Sequence, residues 1–142
     1  MTKQDMYSGL TFERAESPVA AAQTDNTAIV SEIIDMQGAD AMLFVVLLGI
    51  LADAAFTTTF LMEDGDDSGL SDAAAVADDQ LYGTEAGAAF DQDDDDKVRV
   101  IGYHGFKRYV RLTVTPADNT GNLPIAIVAV KNTKHKPSTQ NA

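Results

Sequence analysis

Two histidines, His104 and His135, are the ordinary general bases this chain has to offer. His104 lies in Gly102-Tyr103-His104-Gly105, and His135 sits between Lys134 and Lys136. Neither accompanies a Gly-x-Ser-x-Gly elbow, and no phosphate loop or dinucleotide fingerprint is present. Cysteine is absent, which removes thiol nucleophiles and thiolate metal sites and fits a protein made in a reducing cytosol. The residues therefore predict a non-enzyme without a cofactor. The run Glu63-Asp64-Gly65-Asp66-Asp67-Ser68-Gly69 carries hard oxygen ligands of the kind Ca²⁺ takes. Asp64, Asp66 and Asp67 are weak metal candidates, because the alternating spacing and distal bidentate Glu of a Ca²⁺-binding helix–loop–helix are missing. A solvated acidic turn is the expectation. Asp93-Asp94-Asp95-Asp96-Lys97 matches the recognition sequence of enteropeptidase, yet strand-like residues follow directly and a native acidic loop is the better reading. Its adjacent carboxylates repel one another, which predicts exposure. Arg108 and Arg111, three apart in a strand, face opposite sides of a sheet. They are candidates for pairing with a partner's carboxylates. The alternative is an ion pair with the acidic part of the same chain.

Charge is unevenly spread. The formal net charge is -12. From Thr27 to Asp96 there are seventeen acidic residues and no Lys or Arg, whereas from Lys97 to Ala142 eight Lys/Arg stand against Asp118 alone. An acidic chain does not take up nucleic acid non-specifically, since phosphates require clustered cations. The halves either neutralise each other within one fold or present opposite fields to neighbours in an assembly. The longest apolar run, Ala41 to Ala52, is too short for a membrane span, which needs about 20 residues. Asp5, Glu13 and Glu16 with no apolar core do not make a secretory signal. No nucleic acid and no membrane is expected as a partner.

The elements that position these groups read as strands. Residues 1–26 read as an extended N-terminal arm in which Tyr7, Leu10 and Phe12 are spaced apolar residues, docking either on a partner or on the domain's own sheet. Residues 27–131 read as a β-sandwich. Ala28 to Asp35 is rich in β-branched residues and stops at Gln37-Gly38-Ala39-Asp40. Met42 to Ile50 is a continuous apolar run, read as a strand buried on both faces, with helix as the competing reading. Phe56 to Met62 follows, and Ala73 to Val76 reads as a short strand. Asp78 to Leu81 reads as a turn or single helical turn, and Thr84 to Asp96 as a second acidic connection. Val98 to Tyr103, Lys107 to Thr115 and Ile125 to Val130 are further strands. Among them Val110, Leu112 and Val114 give the cleanest alternation in the chain. Residues 132–142 read as a flexible basic tail. Seven or eight short strands without convincing helices predict an all-β sandwich of jelly-roll type.

The segment Val100 to Thr115, with Gly102-Tyr103-His104-Gly105-Phe106-Lys107-Arg108-Tyr109-Val110-Arg111 at its centre, resembles a family of tailed-phage head cement or decoration proteins. These are small jelly-roll proteins encoded near the major capsid protein. Thr27 to Ala41 is similar to that family's opening strand and turn, Phe60 to Gly69 to its acidic loop, and Val76 to Gly83 to its next element. The resemblance implies a virion structural protein on the capsid exterior. It would bind the major capsid protein, act as a dimer or trimer, and be made in the host cytoplasm. Tyr7, Leu10, Phe12, Arg108 and Arg111 are then the partner-binding candidates. The alternatives are a glycan- or receptor-binding jelly roll displayed on the particle and a head–tail connector component.

Overall fold

A computed structural model describes residues 6–18 and 23–132. Ten strands form two antiparallel sheets packed face to face. Sheet one runs in the order β1 (Leu10–Glu16), β10 (Ile125–Asn132), β4 (Met42–Leu48), β8 (Val98–Tyr103), β7 (Leu81–Tyr82). Sheet two has β9 (Tyr109–Ala117) at its centre, between β5 (Thr57–Gly65) and the short strands β2 (Ile29–Val30) and β3 (Ile34–Asp35), with β6 (Ala74–Ala75) beyond β5. The protein is an all-β, jelly-roll-like sandwich.

Alternation explains why these segments are strands. In β9, Val110, Leu112 and Val114 are buried while Arg111 and Thr113 stay half-exposed. Facing them across the core are Phe44 and Val46 of β4, Ile101 and Tyr103 of β8, and Ile127 of β10. Phe90 closes one end, making edge-on ring contacts with Phe56 at 6.1 Å and Phe60 at 6.0 Å. The segment read as an acidic connection is ordered. A single helical turn, α1 (Glu85–Ala88), starts at Thr84, whose hydroxyl accepts from Gly87 N at 2.9 Å. Glu85 accepts from Met62 N at 2.6 Å, so α1 covers part of the β5 edge that would otherwise be open to pairing.

Three sequence expectations change. Residues 10–16 are not a separate arm. They form the edge strand β1, paired with β10 from Leu10↔Asn132 to Glu16↔Ile127, so the boundary at residue 26 falls inside the sandwich. The polar make-up of β1 hid this, because its inward Glu13 is tolerated at the sheet end by an ion pair with Lys131. The strand expected over Ala28 to Asp35 is broken in two. Ser31 places its hydroxyl as acceptor for Leu112 N at 3.0 Å, and Glu32 N turns to Ala15 O at 2.8 Å, which ties the second sheet to β1. Finally, β4 is a strand as expected but is buried on one face only. Met42, Phe44, Val46 and Leu48 point inward, whereas Leu43 and Leu47 are exposed. The tail beyond Asn132 lies outside the described residues.

Candidate interaction surface

The exposed side of β4 belongs to a larger surface. Cross-strand register places Phe12, Val130, Leu43, Gly102 and Tyr82 in one row across all five strands of sheet one. The next row is Arg14, Val128, Val45 and Val100, and the third is Ala126, Leu47 and Val98. All these positions face away from the core. Leu47 is 55% exposed, Val98 52% and Val100 47%. No outward position on the three central strands β10, β4 and β8 is charged; the charged member of these rows is Arg14 on edge strand β1. Gly102 keeps the surface flat, because Leu43 and Tyr82 lean over it: a Cβ there would stand 2.7 Å from Leu43 Cδ2 and 2.8 Å from Tyr82 Cβ. With strands ~4.8 Å apart and a rise of ~3.4 Å per residue, the uncharged positions of these three rows cover about 360 Å². An isolated Leu on a surface is ordinary; a contiguous apolar patch of a few hundred Å² is the kind of surface on which interaction sites are found.

The outer face of sheet two is different. Thr59 opposes Thr115, Leu61 opposes Thr113, and Glu63 opposes Arg111. Arg111 Nη2 donates to Glu63 Oε2 at 2.8 Å between two half-buried side chains. Arg108, just before β9, forks onto both carboxylate oxygens of Asp35 at 3.0 and 2.9 Å and lies 5.1 Å from the Tyr109 ring centre. That guanidinium holds the Asp35 carboxyl below the usual carboxylate range. Both arginines thus engage carboxylates of the chain's own acidic part, the internal alternative to partner binding.

The remaining sequence candidates scatter. Phe12 is on the apolar face, 52% exposed. Leu10 begins β1 half-buried, and Tyr7 stands exposed in the turn before it. The three acidic candidates do separate jobs. Asp64 is buried and accepts from the Tyr103 hydroxyl at 2.8 Å, and burial together with that bond pushes the phenol pKa up. Asp66 pairs with Lys107. Asp67 accepts from Gly69 N and Ser71 N at 2.9 and 3.2 Å, and backbone hydrogen bonds hold its carboxyl low. Among the described residues, no three His, Asp or Glu side chains are grouped to hold a metal ion.

Two loop features flank the apolar face. At one end Asp94 is nearly buried, bonded by Arg99 and by Lys97 at 3.0 Å; Arg99 first, and Lys97 after it, holds its carboxyl down at about 2. The sequence predicts exposure for the whole run; Asp93, Asp95 and Asp96 are exposed, but Asp94 is buried, because Arg99 and Lys97 pair its carboxylate. At the other end His104 packs on Tyr82, ring centres 4.3 Å apart. The next residues are pinned: His104 N donates to Gln80 O, and Lys107 N donates to the Tyr103 hydroxyl at 3.0 Å. From that fixed loop Phe106 projects, 92% exposed, at the lip of an open cleft of about 590 Å³. Sequence reasoning missed the apolar face because Leu43, Val45 and Leu47 were assigned to a doubly buried strand. The double alternation of Val98-x-Val100 with that run was the available signal.

Fold and surface together define a jelly-roll-like sandwich with one solvated and one apolar outer face. No family model and no curated protein matches the chain. Among solved structures, the PBSX exported protein XepA is similar over all of this chain, with a TM-score of 0.52 at 14% identity. The chain spans 43% of that protein's length. A carbohydrate-binding module, CBM32-1, from a Clostridium perfringens family 31 glycoside hydrolase aligns over 92% of this chain and 100% of its own, with a TM-score of 0.39 at 16% identity. The Tobacco streak virus coat protein aligns over 98% and 97%, with a TM-score of 0.32 at 14% identity. These likenesses concern the fold. Among the described residues no helix is long and apolar enough to cross a membrane.

Proposed function

We propose that this chain is a structural protein of a tailed-phage head, a cement or decoration protein that docks on the major capsid protein from outside. The observation that carries this reading is the apolar outer face of sheet one, which leaves Leu47, Val98 and Val100 about half-exposed in one contiguous patch. A sandwich that worked alone in water gains nothing from such a face, whereas an assembly unit buries it. The fold likeness to a phage exported protein supports the phage setting. The mechanism is passive: each copy adds buried surface across joints between coat subunits, and many copies on one shell multiply the effect. Quantitative mass spectrometry of purified particles tests it. Hundreds of copies per particle are expected of a cement protein; about a dozen would point to a connector, and absence would remove the reading.

A second reading has its own observation. The pinned loop presents Phe106 beside a cleft that Gln37, Asp40 and Asp66 also line, an aromatic next to hydrogen-bonding groups of the kind that receives sugars. Titrating the chain with an oligosaccharide panel separates this glycan-binding module from a cement protein. Binding that Phe106→Ala abolishes would favour it.

A further inference from the structure

We infer that the open edge of β8 receives an extended, basic peptide segment of a partner protein, which adds to sheet one as a further strand. Assigning that segment to the coat protein rests on the reading above. The edge itself is a contact separate from the apolar face, made through the backbone.

The parity of the ladder exposes this edge. Leu48 N donates to Lys97 O at 3.0 Å, so Lys97, Arg99, Ile101 and Tyr103 turn their backbone groups toward β4. Val98, Val100 and Gly102 turn theirs the other way. On that side β7 pairs with Gly102 and Tyr103, and His104 N closes on Gln80 O at 3.0 Å. Gly83, at φ +81°, then turns the chain out of the lane, and a Cβ there would meet nothing within 4 Å. The N–H and C=O of Val98 and Val100 thus face an open lane, with no bonding partner among the described residues.

Other long edges are guarded. Glu13, Arg14 and Glu16 place charges along β1, and Ala15 O is taken by Glu32 N at 2.8 Å. On β5, the Glu85 carboxylate takes Met62 N, and Val76 N donates to Met62 O at 2.9 Å. At Val98 and Val100 neither device is present: the exposed side chains are apolar and no carboxylate caps the backbone.

The lane selects its occupant. An antiparallel segment bonded to Val98 and Val100 sets two of its side chains beside theirs on the apolar outer face, so those two positions call for apolar residues. The residue between them turns inward opposite half-buried Arg99, where α1 packs near β8, and calls for a small side chain. Beyond the lane the segment meets acid. Asp91 and Asp93 are exposed in the loop leading into β8, and the chain carries -12 overall. A segment of the form Lys-Val-Thr-Val-Lys meets these demands, and an acidic one is repelled. Strand addition of this kind takes its affinity from backbone bonds and its selectivity from alternate side chains.

Amide exchange of the full chain, followed by NMR, tests the edge first. The Val98 and Val100 amides should exchange ~100-fold or more faster than those of Arg99 and Ile101 on the same strand. Adding the end-blocked peptide Lys-Val-Thr-Val-Lys should slow both, with a dissociation constant of about 0.1–1 mM that weakens with salt. Glu-Val-Thr-Val-Glu should leave them unchanged. Val100→Pro deletes a donor that faces away from β4, so the circular-dichroism spectrum should stay the same while the peptide no longer binds. Val30→Glu, exposed on the opposite sheet, should bind it as before. If Val100→Pro does not fold, the two peptides on the unaltered chain decide. Slow exchange at Val98 and Val100 in the free chain would overturn the inference. So would equal binding of the two peptides, or binding that survives in folded Val100→Pro. A chain that takes the basic peptide but is absent from particles keeps the lane and rejects the proposed function. A chain abundant in particles whose lane takes no peptide rejects the inference and keeps that function.

Discussion

The two outer faces of this sandwich are built from equally regular strands and meet water in opposite ways. On sheet two, the outward side chains satisfy one another: Thr59 faces Thr115, and Arg111 holds Glu63 at 2.8 Å. On sheet one, Leu43, Val45, Leu47, Val98 and Val100 form an apolar surface with nothing over it among the described residues. Both faces lie on regular antiparallel strands, so the difference lies in the side chains turned outward. One face is satisfied within the folded chain; the other leaves apolar side chains in water.

The sharpest way to break the comparison is along β4 itself. Phe44→Ala removes a fully buried ring and should cost about 3–5 kcal/mol, whereas Leu47→Ala, three residues on, should change stability by no more than about 0.5 kcal/mol. Urea unfolding measures both, and a comparable loss from each would mean that the outer face is already packed in the free chain.

Tyr103 ties β8 of sheet one to Asp64 of sheet two. Tyr103→Phe leaves a buried carboxylate short of its donor and should cost about 1–3 kcal/mol. It should also raise amide exchange at Lys107, whose N–H loses its acceptor. Unchanged exchange there would show that Phe106 is not held out by this bond.

Asp94 closes one end of the apolar face, and its pH dependence follows from its lowered pKa. Its ordinary value is 3.8 and the folded value about 2, so its contribution is fully present above pH 4 and is lost as pH falls toward 2. Acid titration of stability for the chain and for Asp94→Asn should converge at the acid end of that window. Parallel curves would contradict the pairing with Arg99 and Lys97. The smallest effect belongs to the solvated face, where Glu63→Gln should cost about 1 kcal/mol in thermal unfolding, because it weakens one half-buried cross-strand pair.

Much of this was legible in the residues. The alternation of Val110, Leu112 and Val114 against Arg111 and Thr113 placed β9 and its inward face. The lone cations of the basic third found acids of the same chain, as Arg108 does with Asp35. What was not legible has a physical reason. A continuous apolar run such as Met42 to Leu48 looks the same whether its second face is covered by the fold or left for another molecule. Strand β1 was hidden because Glu13 and Arg14 break its apolar pattern, and their partners, Lys131 and Glu32, lie far away in sequence. Phe106 gave no signal of exposure, since an aromatic between strands reads equally well as core.

The central claim is that the chain is held in its assembly by the outer face of sheet one. Particles assembled with Leu47→Glu or Val100→Glu chains, and in parallel with Thr59→Glu or Thr115→Glu chains, test it by the number of copies retained after purification. Loss of the first pair with full retention of the second is predicted. Equal retention of all four, each folded by circular dichroism, would contradict it.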